Sequence, residues 1–113
     1  EGWHIPSDEE WVALITHLGG SRLVGDKLKT ITTWDKQGAN PTNSSGFSAL
    51  AGGIIVYHLF NWQNNSAFWW STTNYSSTPE TSAVFVRVDF NTPDFPSYGT
   101  DKSDAFSVRC IKD

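Results

Sequence analysis

Ser7-Asp8-Glu9-Glu10 has the form of a helix capping box. The Ser7 hydroxyl accepts from a first-turn amide, and Glu10, three residues on, reaches back to the cap. Pro6 fixes the chain's entry. Trp11, Leu14, Ile15 and Leu18 then recur at helical spacing and define one apolar face. Gly19-Gly20 ends the run. A second, shorter helix is expected around Gly25 to Thr30. With one clear helix near its start, the chain must complete its core from strands and loops.

The strand signals follow later. Ile54-Ile55-Val56-Tyr57 is a short apolar run behind Gly52-Gly53. Phe68 to Thr73 reads as a core strand. Ala83-Val84-Phe85-Val86-Arg87-Val88-Asp89-Phe90 is the strongest strand pattern, with Arg87 and Asp89 on one face. Ala105 to Ile111 reads as a closing strand whose Phe106, Val108 and Cys110 share a face. Between these runs lie polar, turn-rich stretches: Asp35 to Ser45, Asn61 to Ser66, Thr72 to Ser82, and Asn91 to Ser103. The expected class is α+β, a single domain with an N-terminal helix, antiparallel strands and unusually long loops. Long loops in a compact domain are usually functional.

Composition narrows the function classes. Of 113 residues, 14% are aromatic, six of them Trp, while only 18% are charged, against roughly 25% in an ordinary soluble domain. Few charges with many Ser, Thr, Asn and Gly suit an extracellular, β-rich protein. The net charge is −4, and the densest basic stretch is Lys27 to Lys29. No basic stripe is available to neutralise phosphates, so a nucleic-acid partner is not expected. No apolar stretch approaches the ~20 residues of a membrane helix. Asn43, Asn64 and Asn74 each open an Asn-x-Ser pattern, a sign of exposed loops.

Four stretches taken together resemble a known family: Gly2-Trp3-His4-Ile5-Pro6-Ser7-Asp8-Glu9-Glu10-Trp11, Gly46-Phe47-Ser48-Ala49-Leu50-Ala51-Gly52-Gly53, Trp69-Trp70-Ser71-Thr72-Thr73, and the ending Phe106 to Asp113. They resemble the Fibrobacter succinogenes major paralogous domain, a bacterial family of secreted and cell-surface proteins, and they span nearly the whole chain. The resemblance implies a C-type-lectin-like fold. That branch also holds the formylglycine-generating enzymes and the retroelement-diversified variable proteins. Members usually carry a cysteine and a proline shortly before the Gly-Trp-His-x-Pro motif. The resemblance therefore implies that the single cysteine, Cys110, bridges to a cysteine immediately upstream of Glu1, and that this chain is trimmed from a longer protein.

Catalysis is not expected. The chain has no Gly-x-Ser-x-Gly turn. One C-terminal cysteine cannot reproduce the active-site cysteines of the formylglycine-generating relatives. Glu9-Glu10 is explained by helix capping. Asp89, Asp94, Asp101 and Asp104 have the chemistry to flank a glycosidic bond, but their spacing fixes no separation. His4, His17 and His58 show no ligand spacing. Asp89-Phe90-Asn91-Thr92-Pro93-Asp94 is rich in oxygen, yet it reads as well as an ordinary turn as it does a Ca²⁺ loop. No cofactor or metal is expected.

A non-catalytic binding or adhesion module remains, secreted or at a cell surface, with a carbohydrate or a protein partner as ligand. The alternative is a structural subunit of a surface assembly. Trp3, Trp11, Trp69 and Trp70 are expected to be structural, whereas Trp34 and Trp62 border polar loops. Tyr75, Phe95 and Tyr98 lie in polar loops, where no core requires an aromatic ring. Asn74, Asn91, Asp94 and Asp101 supply hydrogen-bonding groups beside them. Trp62 and Asn64 approach from the middle loop. These nine residues are the expected binding face.

Overall fold

The computed structural model describes residues 2–35 and 40–113. The Gln37-Gly38-Ala39 part of the expected loop lies outside the described residues. The chain runs β1 (Trp3–His4), α1 (Asp8–His17), α2 (Gly25–Leu28), β2 (Ile54–Val56), β3 (Leu59–Asn61), β4 (Ser66–Asn74), β5 (Ser82–Asp89), β6 (Ser97–Asp101) and β7 (Ile111–Lys112). Its sheets are antiparallel, so the domain is α+β as the sequence implied.

The capping box forms as read. Ser7 Oγ accepts from the Glu10 amide, and Glu10 Oε2 accepts from the Ser7 amide at 2.8 Å. The helix start is sewn to β4: the Asp8 amide donates to Thr73 Oγ1 and the Thr72 amide to the Pro6 carbonyl, both at 2.9 Å. Trp11 and Ile15 thereby face the central sheet, ordered β4-β5-β6.

That sheet is apolar on both faces. Ala67, Trp69, Val86 and Val88 join Trp11, Ile15, Val24 and Leu28 in the main core on the helix side. Phe68 and Phe85 point the other way and form a second cluster with Ile54, against which Trp70 and Phe106 pack. A strand covered on both faces needs a continuous rather than an alternating apolar run. This explains why Ala83 to Phe90 is the clearest strand pattern, for β5 is the middle strand.

Several expectations need correction. Phe95 is not a loop aromatic free for a ligand. It is 2% exposed, packed between Trp11 and Trp69, with its amide donating to the Ser21 carbonyl. The turn-rich stretch from Asn91 to Ser103 contains an edge strand, β6, with Pro96 just before it, a placement an edge strand tolerates. The closing strand is broken up: Ala105 bridges to β2, Ser107 to β4, and only Ile111–Lys112 forms a ladder, with β1. Phe106 turns inward, but Val108 and Cys110 are exposed. Trp34 is buried, its indole N–H donating to the Ala49 carbonyl, while Trp3 is exposed.

Lys27 and Lys29 also turn inward. Lys29 is fully buried, its ammonium 3.0 Å from Asp26 Oδ1 and 2.8 Å from the Thr92 carbonyl, with the Phe90 carbonyl at 3.4 Å. Lys27 donates to the Leu18 carbonyl, at the end of α1. The carbonyl oxygens of Phe90 and Thr92, in the stretch weighed as a Ca²⁺ loop, are therefore turned onto a lysine.

Candidate binding cleft

β2 and β3 form a hairpin whose register pairs Val56 with Leu59, leaving Tyr57 and His58 as a two-residue turn. Both have positive φ, 49° and 65°, the geometry of a primed hairpin turn that normally selects Asn-Gly. Gly53, at φ +71°, sits at the base of the hairpin, where a Cβ would collide with the Asn61 carbonyl oxygen. Only glycine lets the backbone segments meet so closely. The chain then leaves β3 through Trp62, itself at φ 59°.

Trp62 is thus laid over the second apolar cluster. Its indole stacks on Phe68, with ring centroids 5.7 Å apart and planes 26° apart, yet the residue is 55% exposed. One face of the ring is seated and the other is open. Beside it a cleft of about 550 Å³ opens between the hairpin and the sheet. Ile54, Phe68, Phe85 and Phe106 form its apolar floor; Tyr57, Trp62 and Tyr98 stand around it. Phe106 meets Phe85 edge-on at 4.8 Å, so the floor is braced by interlocked rings.

The polar wall comes from β5, β6 and the turn that follows. Arg87 donates from Nε to Asp89 Oδ2 at 2.7 Å and lies 5.7 Å from the Tyr98 ring centroid. Asp89 also accepts from Ser66 Oγ at 2.6 Å. Asp101 accepts from the Ser103 amide at 2.8 Å, and Asp104 accepts from Thr100 Oγ1 at 2.8 Å. The Ser103 amide holds the Asp101 carboxyl below its ordinary range, the reverse of what a general acid at neutral pH requires. Among the described residues, no three His, Cys, Asp or Glu side chains converge to hold a metal ion.

The structure brings together Trp62, Tyr98 and Asp101 of the expected nine. Asn91 lines a neighbouring depression of about 260 Å³ that shares Trp62 and Arg87 with the cleft. Asn64 is exposed close by in the chain, at φ 66°, with its amide donating to the Ala51 carbonyl. Asn74 and Tyr75 stand at the end of β4, outside the cleft lining. There Asn74 accepts from Lys102 Nζ, and the Tyr75 ring covers Gly99. Asp94 is exposed and likewise outside the lining, and Phe95 is core.

Sequence reasoning missed Tyr57, Arg87, Thr100, Ser103 and Asp104 as cleft residues, and the Phe68-Phe85-Phe106 floor. One signal could have found the floor. Phe68, Trp70, Phe85 and Arg87 point to the opposite face from Trp69, Val86 and Val88, which implies a second apolar face in need of a cover.

Residues 1–112 match the family model described as the Fibrobacter succinogenes major domain. The chain belongs to that family. In this Fibrobacter succinogenes major domain, the four motifs carrying the resemblance build the frame: Trp11 and Trp69 the core, Ala49 and Ala51 its flank, and the ends the β1–β7 pair. The cleft is made largely by residues between and beside them. No curated protein and no solved structure matches the chain. Cys110 is exposed and unpaired. Among the described residues, no helix is long and apolar enough to cross a membrane.

Proposed function

We propose that this chain is a non-catalytic binding module of C-type-lectin-like fold, displayed outside the cell, whose cleft takes a carbohydrate. The observation that carries the reading is the Trp62 indole, seated on Phe68 by one face and open on the other at the mouth of the cleft. A pyranose presents a C–H face to such a ring while its hydroxyls seek acceptors and donors at the edge. Asp101, Ser103, Asp104 and Thr100 supply these. A concave site with a few convergent polar groups is typical of small-ligand binding. A protein partner usually covers about 800 Å² per side, a broader contact than a cleft of this size provides by itself.

The extracellular setting rests on the family resemblance and on the low charge content. The bridge from Cys110 to an upstream cysteine rests on the resemblance alone. Isothermal titration of the domain against a panel of soluble oligosaccharides tests the main reading. Binding that Trp62→Ala abolishes supports it, and a fully silent panel contradicts it.

A second reading is favoured by one observation. Leu59 and Phe60 are 66% and 56% exposed on β3, which pairs only with β2 among the described residues. An exposed apolar edge strand is a template for pairing with another chain. The reading is a structural subunit of a surface assembly. Light scattering across a concentration series separates the two, since a concentration-independent monomer removes the assembly reading.

A further inference from the structure

The charges of the cleft are unbalanced. Its charged lining residues are Arg87, Asp101 and Asp104. The Arg87 charge is already met by Asp89, through Nε at 2.7 Å. Asp101 and Asp104 take only neutral donors, the Ser103 amide and the Thr100 hydroxyl, and neither has a cationic partner among the described residues. Lys102, the nearest cation in sequence, points its ammonium away, donating to Asn74 Oδ1 and the Pro79 carbonyl at 2.9 Å each. Two carboxylates without a counter-charge therefore border a cleft ringed by Tyr57, Trp62 and Tyr98.

Aromatic faces attract cations, and the attraction grows as the cation loses water. A neutral sugar would stack on Trp62 and hydrogen-bond to the carboxylates, but would leave their charge uncompensated. A sugar carrying a protonated amine does all three. We propose that the cleft binds an amino sugar, a glucosamine-type oligosaccharide, with a pyranose ring on the open face of Trp62 and the ammonium toward Asp101 and Asp104. This inference rests on the carbohydrate reading of the cleft, and its own content is the charge.

The test is isothermal titration of the intact domain with a glucosamine tetramer, its N-acetylated counterpart, a neutral glucose tetramer and a tetralysine peptide. The glucosamine tetramer is expected to bind at least ~10-fold more tightly than the N-acetylated one at low salt. The advantage should shrink in about 0.5 M NaCl, where charge interactions are screened. Asp101→Asn with Asp104→Asn, which keeps an acceptor oxygen at each position, should weaken the glucosamine tetramer far more than the N-acetylated one and close the gap between them. Equal affinity for the two tetramers overturns the amine inference while the carbohydrate reading stands. Silence of all three saccharides overturns both. A tetralysine peptide that binds as tightly as the glucosamine tetramer also overturns the proposal, because the sugar ring would then contribute nothing. The comparison of ligands on the unsubstituted domain decides the matter even where the double variant fails to fold.

Discussion

Trp62 stacks on Phe68 at a centroid distance of 5.7 Å, and the two residues have opposite fates: Phe68 is 2% exposed and Trp62 is 55% exposed. Phe68 belongs to the second apolar cluster, whereas Trp62 only rests on it. Phe68→Ala is expected to cost about 3–5 kcal/mol, as for other large-to-small core changes. Trp62→Ala is expected to cost about 1 kcal/mol or less, since much of the ring is already in water. Urea denaturation of both variants, beside saccharide titration, should separate a structural ring from a binding ring. Comparable losses of stability would mean that Trp62 is a core residue.

The Tyr57-His58 turn holds two side chains in the left-handed region that glycine and asparagine prefer. Giving the turn the residues its geometry favours, Tyr57→Asn with His58→Gly, should relax it and raise stability by about 1–2 kcal/mol. It should also weaken saccharide binding, because Tyr57 borders the cleft. Thermal melts and titration read the two effects. Stabilisation with unchanged binding would show that the strain serves no ligand.

His4 ties the two chain ends together. Its Nδ1 lies 2.6 Å from Asp113 Oδ1, and its Nε2 lies 2.8 Å from Glu10 Oε1. The Asp113 carboxylate first, and Glu10 second, raise its pKa above the ordinary value of 6.5. The clasp therefore stabilises fully below that value and fades as the pH rises through the raised one. The Glu10 carboxyl is lowered, by the Ser7 amide first and His4 second, so its contribution fades on the acid side. Relative to a His4→Gln variant, the native chain should lose melting temperature over a pH window that opens at the ordinary histidine value of 6.5 and extends upward through the raised one. Parallel curves for the two proteins over that window would dismiss the clasp.

Lys29 is buried against Asp26 and the carbonyls of Phe90 and Thr92, with its ammonium 5.6 Å from the Trp34 ring centroid. Lys29→Met keeps the stem but strands these acceptors, with Asp26 softened by its partial exposure. A loss of about 2–4 kcal/mol is expected in chemical denaturation. A neutral result would mean that water replaces the ammonium without cost.

What is legible in the sequence follows from local rules. The Ser7–Glu10 box and the Trp11-Leu14-Ile15 stripe are contained in a few turns, and α1 forms where they place it. The β5 run is apolar on both faces, and it is the middle strand. The β2–β3 hairpin stays hidden because Tyr57-His58 lacks turn chemistry, and β6 stays hidden because Pro96 and Gly99 read as loop. In space, Gly99 admits the Tyr75 ring, which occupies the place a Cβ would take. Phe95 misleads for the same reason: its neighbours in sequence are polar, while its neighbours in space are Trp11 and Trp69. The candidate site is legible only where single residues announce themselves, as with Trp62, Tyr98 and Asp101. Its floor comes from Ile54, Phe68, Phe85 and Phe106, which only the fold unites.

The claim that the cleft is the binding face is tested most directly by a nuclear magnetic resonance titration of the labelled domain with the glucosamine and N-acetylglucosamine tetramers. The account predicts saturable shifts of the Trp62 indole N–H and of the amides of Ile54, Arg87, Tyr98 and Asp101, with α1 unmoved. Shifts confined to α1 and the paired chain ends, or no shift with either saccharide, would contradict it.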